Sequence, residues 1–201
     1  MRKQWFGDSR DYSKWSHILR ETPEGAQMIY IAMMRPNELS PSIDSRVMRF
    51  FDERKDLGLV SDLFPNRFHS LLRSYKSGDA TYFHDAVELL EKAQSLGPCA
   101  VFIDPDTGIE PASGTTNRHI RIKDLQLMCE ALRPCDKLVV YQHAPQFRVP
   151  TWEEDCLVRM LHWAPAYEIT TFCAREIASD VCFLTFTPAS AALPNPAIPA
   201  P

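Results

Sequence analysis

Glycine is scarce, with seven in 201 residues. None follows the first apolar run, where Arg35-Pro36-Asn37 stands instead. Neither G-x-G-x-x-G nor G-x-x-x-x-G-K-[ST] is present, which argues against ordinary dinucleotide or P-loop nucleotide binding. No Gly-x-Ser-x-Gly elbow occurs, so the usual serine-hydrolase sign is missing as well. The six cysteines, Cys99, Cys129, Cys135, Cys156, Cys173 and Cys182, contain no C-x-x-C pair. Neither a zinc knuckle nor a secreted disulfide framework is expected, and most of them read as reduced core thiols. No run reaches the ~20 apolar residues of a membrane span, and Met1–Asp8 has no apolar signal-peptide core. The expectation is a soluble, cytoplasmic protein without membrane contact. A net charge of −4 speaks against the broad cationic field of a general nucleic-acid coat, and a local basic patch stays open.

Apolar residues, in contrast, are plentiful: 45% of the chain, with four Trp and eleven Phe, enough to fill a core and exclude disorder as the main state. Residues 1–187 read as a single α/β domain. Residues 188–201 read as a Pro/Ala-rich tail, part of a low-complexity segment that begins at Thr187. Asp8 or Ser9 can cap a first helix in which Tyr12, Trp15, Ile18 and Leu19 recur at helical spacing. Phe6 and Trp15 would pin that helix over the crevice as a lid. Met28–Met34 is a continuous apolar run, as in a strand covered on both faces. The pattern weakens from Ser42 to Tyr75, where helical pieces are expected around 43–54 and 66–74, with a loop at Leu63-Phe64-Pro65. A helix over 81–96 then leads to a strand at 99–103, a helix over 122–132 to a strand at 137–141, and a helix runs from a Thr151/Glu154 capping box to Trp163. Alternating strands and helices indicate a parallel sheet. Tyr167–Cys173 and Val181–Thr187 are too close for a helical crossover and should pair as an antiparallel hairpin.

In open α/β sheets ligands bind beyond the carboxyl ends of the strands. That rule selects Arg35-Pro36-Asn37-Glu38, Asp104-Pro105-Asp106-Thr107-Gly108-Ile109-Glu110 and Tyr141-Gln142-His143. Asp104 and Asp106 could hold Mg²⁺, with Glu110 or Asp8 in support, or accept hydrogen bonds from a substrate amine or hydroxyl. Alternatively, they simply cap their own turn. His143 is placed to shuttle a proton and Gln142 to orient a base edge. Asn37 ends the neighbouring strand. On the first helix, Asp8, Arg10, Asp11 and Lys14 form a second polar group, in which Asp11 and Lys14 meet at i,i+3. Arg118–Lys123 is a local basic stretch that reads as a solvated helix approach.

The patterns Phe6-Gly7-Asp8-x-Arg10-Asp11-x-x-Lys14-Trp15, Asp104-Pro105-Asp106-Thr107-Gly108 and Tyr141-Gln142-His143 resemble those of a group of small phage and bacterial proteins. A mostly parallel sheet closed by an antiparallel hairpin resembles the S-adenosylmethionine-dependent methyltransferases, a three-layer Rossmann-like fold. Asp104-Pro105 is similar to the first half of the Asp-Pro-Pro-Tyr motif of nucleic-acid adenine methyltransferases, and Asp106-Thr107 stand where that family has Pro-Tyr. The resemblance implies a nucleic-acid-modifying enzyme of phage or mobile-element origin. S-adenosylmethionine would be its cofactor, a nucleic acid or nucleotide its partner, and Asp104 the acceptor of the amine proton. A Mg²⁺-dependent nuclease or phosphohydrolase using Asp104 and Asp106, and a non-enzymatic nucleotide- or protein-binding accessory factor, are the alternatives.

Overall fold

The computed structural model describes residues 9–34, 64–75, 79–112, 114, 118–144, 151–173 and 175–189. Helix α1 spans Ser9–Glu21 and strand β1 Gln27–Met34. Successive β1 side chains point to opposite faces, and both faces are covered. Ile29, Ile31 and Met33 enter one apolar layer, Met28, Tyr30 and Ala32 the other. Strand β2, Phe68–Ser74, pairs parallel with β1 from Met28↔Phe68 to Met34↔Ser74. The helix expected over 66–74 is therefore a strand. The segment has no strong period of its own, and the backbone groups along the edge of β1 need partners. The helix expected around 43–54 lies outside the described residues.

Helix α2, Ala80–Gln94, starts at Asp79, whose carboxylate accepts from the Thr81 backbone N–H at 3.0 Å. Strand β3, Cys99–Asp104, follows. Two short parallel strands, β4 (Gly108–Ile109) and β5 (His119–Ile120), lead into α3, Ile122–Glu130. Strand β6 is Lys137–His143, α4 Trp152–Trp163, β7 Tyr167–Cys173 and β8 Val181–Pro188. The capping box expected at Thr151 and Glu154 does not form. Thr151 makes no cap hydrogen bond, and its hydroxyl reaches the Asp155 carboxylate at 3.1 Å instead. The low-complexity segment also begins later than expected, because Thr187 and Pro188 pair with Glu168 and Tyr167.

The six-stranded sheet has the order β2-β1-β3-β6-β8-β7, in which β2, β1, β3 and β6 are mutually parallel. Strand β8 runs antiparallel between β6 and β7. Side chains from α2, α3 and α4 pack on one face and α1 on the other. The result is a three-layer, Rossmann-like α/β fold, its mostly parallel sheet closed by a C-terminal antiparallel hairpin. From β1 the chain steps to β2 on one side and returns to β3 on the other. The topological switch point, where this fold class places its ligands, thus lies between the carboxyl ends of β1 and β3.

Two buried polar residues hold the layers. At the amino end of β3, Asp136 is 0% exposed. It accepts from the Cys99 and Arg133 backbone N–H groups, the Gln94 amide and the Arg133 guanidinium. Burial alone would raise its carboxyl, but these donors together hold it below the usual range. On α1, His17 stacks on Phe172 and Phe183 with centroids 4.7 and 4.8 Å away, while Arg20 Nη2 lies 2.9 Å from its Nδ1. Arginine can only donate, so Nδ1 is the acceptor and Nε2 carries the proton.

Burial lowers the His17 imidazole to about 4. The unfolded chain, titrating near ~6.5, then binds the extra proton first, and folding free energy is lost as pH falls from about 6.5 toward 4. Urea denaturation between pH 7.5 and 4.5 is expected to show a loss of up to about 3 kcal/mol, which His17→Phe removes. An identical pH profile in that variant would contradict the assignment.

Candidate functional site

Asp104 ends β3 on the face that carries Ala100 and Phe102, and is 1% exposed. The Tyr30 hydroxyl, from β1, donates to its Oδ2 at 3.0 Å. Lys14 reaches down from α1, its Nζ lying 3.1 Å from Oδ2 and 3.0 Å from Oδ1. Lys14 is itself 6% exposed, and its ammonium sits 4.3 Å over the Tyr141 ring, a cation–π contact strengthened by desolvation. Among the described residues Asp104 Oδ1 makes no hydrogen bond, although it faces the lysine charge.

One helical turn before Lys14, Arg10 grips Asp180 through two N–H donors, Nε to Oδ1 at 3.3 Å and Nη2 to Oδ2 at 2.5 Å. Burial would raise the Asp180 carboxyl, but Arg10 and His143 outweigh it and hold it below the usual range. His143, at the carboxyl end of β6, places Nε2 3.1 Å from Asp180 Oδ2 and Nδ1 2.9 Å from the Ala144 carbonyl oxygen. Both partners are acceptors, and a neutral ring can donate to only one of them. The side chain is 35% exposed, giving a way out to solvent. Tyr141 lies between the two groups and feels the charges of Lys14, Asp104, Arg10 and Asp180; burial, the largest influence, pushes its hydroxyl up. Its ring centroid is 6.4 Å from that of His143.

The structure thus brings Arg10, Lys14, Asp104 and His143 to one rim. Tyr30 and Asp180, which the sequence reading missed, complete it. Tyr30 sits inside an apolar run and reads as core, and Asp180 precedes a strand like any turn residue. Only the sheet order reveals them, by setting β8 against β6 and β1 against β3.

Other expected site residues go elsewhere. Asp106 lies 3.8 Å from Arg118 Nε, so the two carboxylates of the turn face different cations. Among the described residues no group of three His, Cys, Asp or Glu is placed to hold a metal ion. Glu110 caps α3, its Oε1 accepting from the Ile122 N–H at 2.7 Å. The Gln142 amide is engaged within the fold: Oε1 accepts from the Ile109 N–H at 2.8 Å and Nε2 donates to the His143 carbonyl at 2.7 Å. Arg121, in the basic stretch, holds Asp124 through two hydrogen bonds of 2.7 and 2.9 Å. Lys14, expected to meet Asp11, pairs with Asp104. Trp15, 1% exposed, makes α1 a full layer of the fold rather than only a lid. Asp8, Asn37 and Phe6 lie outside the described residues, as does the side chain of Asp11.

No family model matches this sequence, and no curated protein does. The chain is similar to a solved structure of a fibrillarin/Nop5p complex, with a TM-score of 0.46 and 14% identity over 92% of this chain and 91% of that one.

The Asp104–Gly108 turn is seated by Gln142. Gly108 has φ +109°, and a Cβ there would lie 2.6 Å from the Gln142 amide. Gly108→Ala is expected to destabilise by about 2–3 kcal/mol in chemical denaturation. Adding Gln142→Ala should recover only the steric part, leaving the cost of the left-handed backbone. Full recovery in the double variant would contradict that account.

Proposed function

We propose that this chain is a nucleic-acid-modifying methyltransferase whose reaction centre is the Lys14–Asp104 rim. The observation that carries this reading is the buried Asp104 carboxylate at the switch point. It is held by Lys14 and Tyr30, and among the described residues its Oδ1 faces the lysine charge at 3.0 Å without a hydrogen bond.

Methylation of an amine or hydroxyl requires that the nucleophile lose a proton as it attacks, so a positioned acceptor is needed. Asp104 Oδ1 fits that task, since a donor aimed at it would complete its hydrogen bonding. Lys14 and the Tyr30 hydroxyl fix the direction of the carboxylate. His143, partly exposed and held by Asp180, can pass a proton from the rim to water. Arg10 keeps Asp180 ionised and so keeps the imidazole oriented. The fit to S-adenosylmethionine rests on the fold and on this acceptor; when bound, it supplies an electrophilic methyl group. The residues that follow β1, including Asn37, lie outside those described. The substrate class rests on the similarity of Asp104-Pro105 to the Asp-Pro half of the adenine methyltransferase motif.

The test is transfer of labelled methyl from S-adenosylmethionine to mixed RNA and DNA oligonucleotides, with calorimetric titration of the methyl donor alongside. Asp104→Asn keeps the shape and removes the charge. It is expected to lower transfer by roughly 10²–10⁴-fold while the methyl donor still binds. If the unsubstituted chain binds oligonucleotides but neither binds nor consumes S-adenosylmethionine, it is a binding factor and the enzymatic reading fails.

A further inference from the structure

Three cysteines, Cys156, Cys173 and Cys182, lie near one another at one end of the hairpin. Cys173 closes β7 and Cys182 lies near the start of β8, and the two are directly opposed in the antiparallel ladder. Such pairs bring Cα atoms to about 4.5–5.5 Å, within the range a disulfide spans. Both are free thiols. Cys182 is 0% exposed and packs with Ala144 and Trp152, while Cys173 borders the same group and is half-buried. Cys156, on α4, is buried close enough for its charge to be felt by Cys182. Above Cys173 lies the Arg175–Glu153 ion pair, 2.5 Å, and both members act on the thiol.

We infer that Cys173 and Cys182 form a thiol–disulfide exchange site, in which Cys173 attacks a small disulfide of the glutathione class and Cys182 resolves it into a cross-strand disulfide. In the first step the Cys173 thiolate sulfur bonds to one sulfur of the reagent, the reagent's S–S bond breaks, and one glutathione thiolate leaves and takes a proton. In the second, Cys182 sulfur attacks Cys173 sulfur, the mixed disulfide breaks, and the Cys182 proton goes to the second leaving thiolate. Two electrons pass from the protein to the reagent, giving one protein disulfide and two glutathione thiols.

The division of labour follows from position. Cys173 is the reachable thiol, and its hydrogen bond with Cys182 lowers it despite burial and Glu153. Cys182 is inaccessible, and that same hydrogen bond together with burial keeps it protonated, as suits a resolving thiol that acts second. The turn that the disulfide would close carries Asp180, so oxidation ties down the segment that holds His143.

The experiment uses the full chain carrying Cys135→Ser, because Cys135 is an exposed thiol that would react on its own account. The folded protein is incubated with glutathione disulfide, acid-quenched, and read by intact mass and peptide mapping. The expected product has lost two hydrogens, carries no glutathione, and is cross-linked between Cys173 and Cys182. Cys182→Ser and Cys182→Ala should each retain one glutathione on Cys173, and Cys173→Ser should take none. Three results would overturn the inference: glutathione kept by the Cys135→Ser chain, a cross-link that maps to Cys156, or no reaction in the folded protein when the denatured one reacts. The mapping of the Cys135→Ser chain stands even if the Cys182 variants fail to fold.

Discussion

The contact on which the rest of this architecture turns is the ion pair between Lys14 and Asp104, buried where α1 crosses the sheet. Desolvating two charges costs several kcal/mol per ion, and their attraction offsets this only with good geometry and further hydrogen bonds. The Tyr30 hydroxyl and the Tyr141 ring supply those further contacts. A well-packed apolar pair would hold α1 to the sheet at least as well, since replacing buried ion pairs in this way is often neutral or stabilising. Adhesion alone therefore does not account for the pair, and Trp15 and Ile18 already provide it.

Strand β3 and the turn before β6 place a comparison within the molecule. Asp136, at the amino end of β3, is as buried as Asp104 at the carboxyl end, but its oxygens meet donors from Cys99, Gln94 and Arg133. Its acceptor capacity is used, and its role is complete within the fold. Among the described residues, Asp104 Oδ1 faces the Lys14 charge at 3.0 Å without a hydrogen bond. Buried polar atoms are rarely left so, and this one lies at the topological switch point. Gln142 holds the end of the Asp104–Gly108 turn through the Ile109 N–H, and Asp180 links Arg10 on α1 to His143 on β6.

Much of this was readable from residue order, because it depends on local pattern. The apolar run of β1, the helix over 80–94 closed by Gly97-Pro98, and two β-rich runs separated by a short turn each specify their element through side-chain periodicity. The rule that ligands gather at strand carboxyl ends then points to Asp104 and His143. What failed, failed where local pattern was weak or nonlocal pairing stronger. The segment 68–74 becomes a strand because β1 offers an unpaired edge, and Thr151 gives up its cap for Asp155. Gln142 Oε1 and Glu110 Oε1 accept from backbone N–H groups that only the folded chain brings near.

Side-chain chemistry and period by themselves determined the α/β class, the strands β1, β3, β6, β7 and β8, and the acidic turn at the mouth of β3. Tertiary structure alone decided which charges meet. Lys14 and Asp104 are 90 residues apart, Arg10 and Asp180 170, and Cys173 faces Cys182 only through antiparallel register. Periodicity reports which face a residue occupies, but partnership across elements is set by sheet order and by the desolvation cost that makes every buried charge find its opposite.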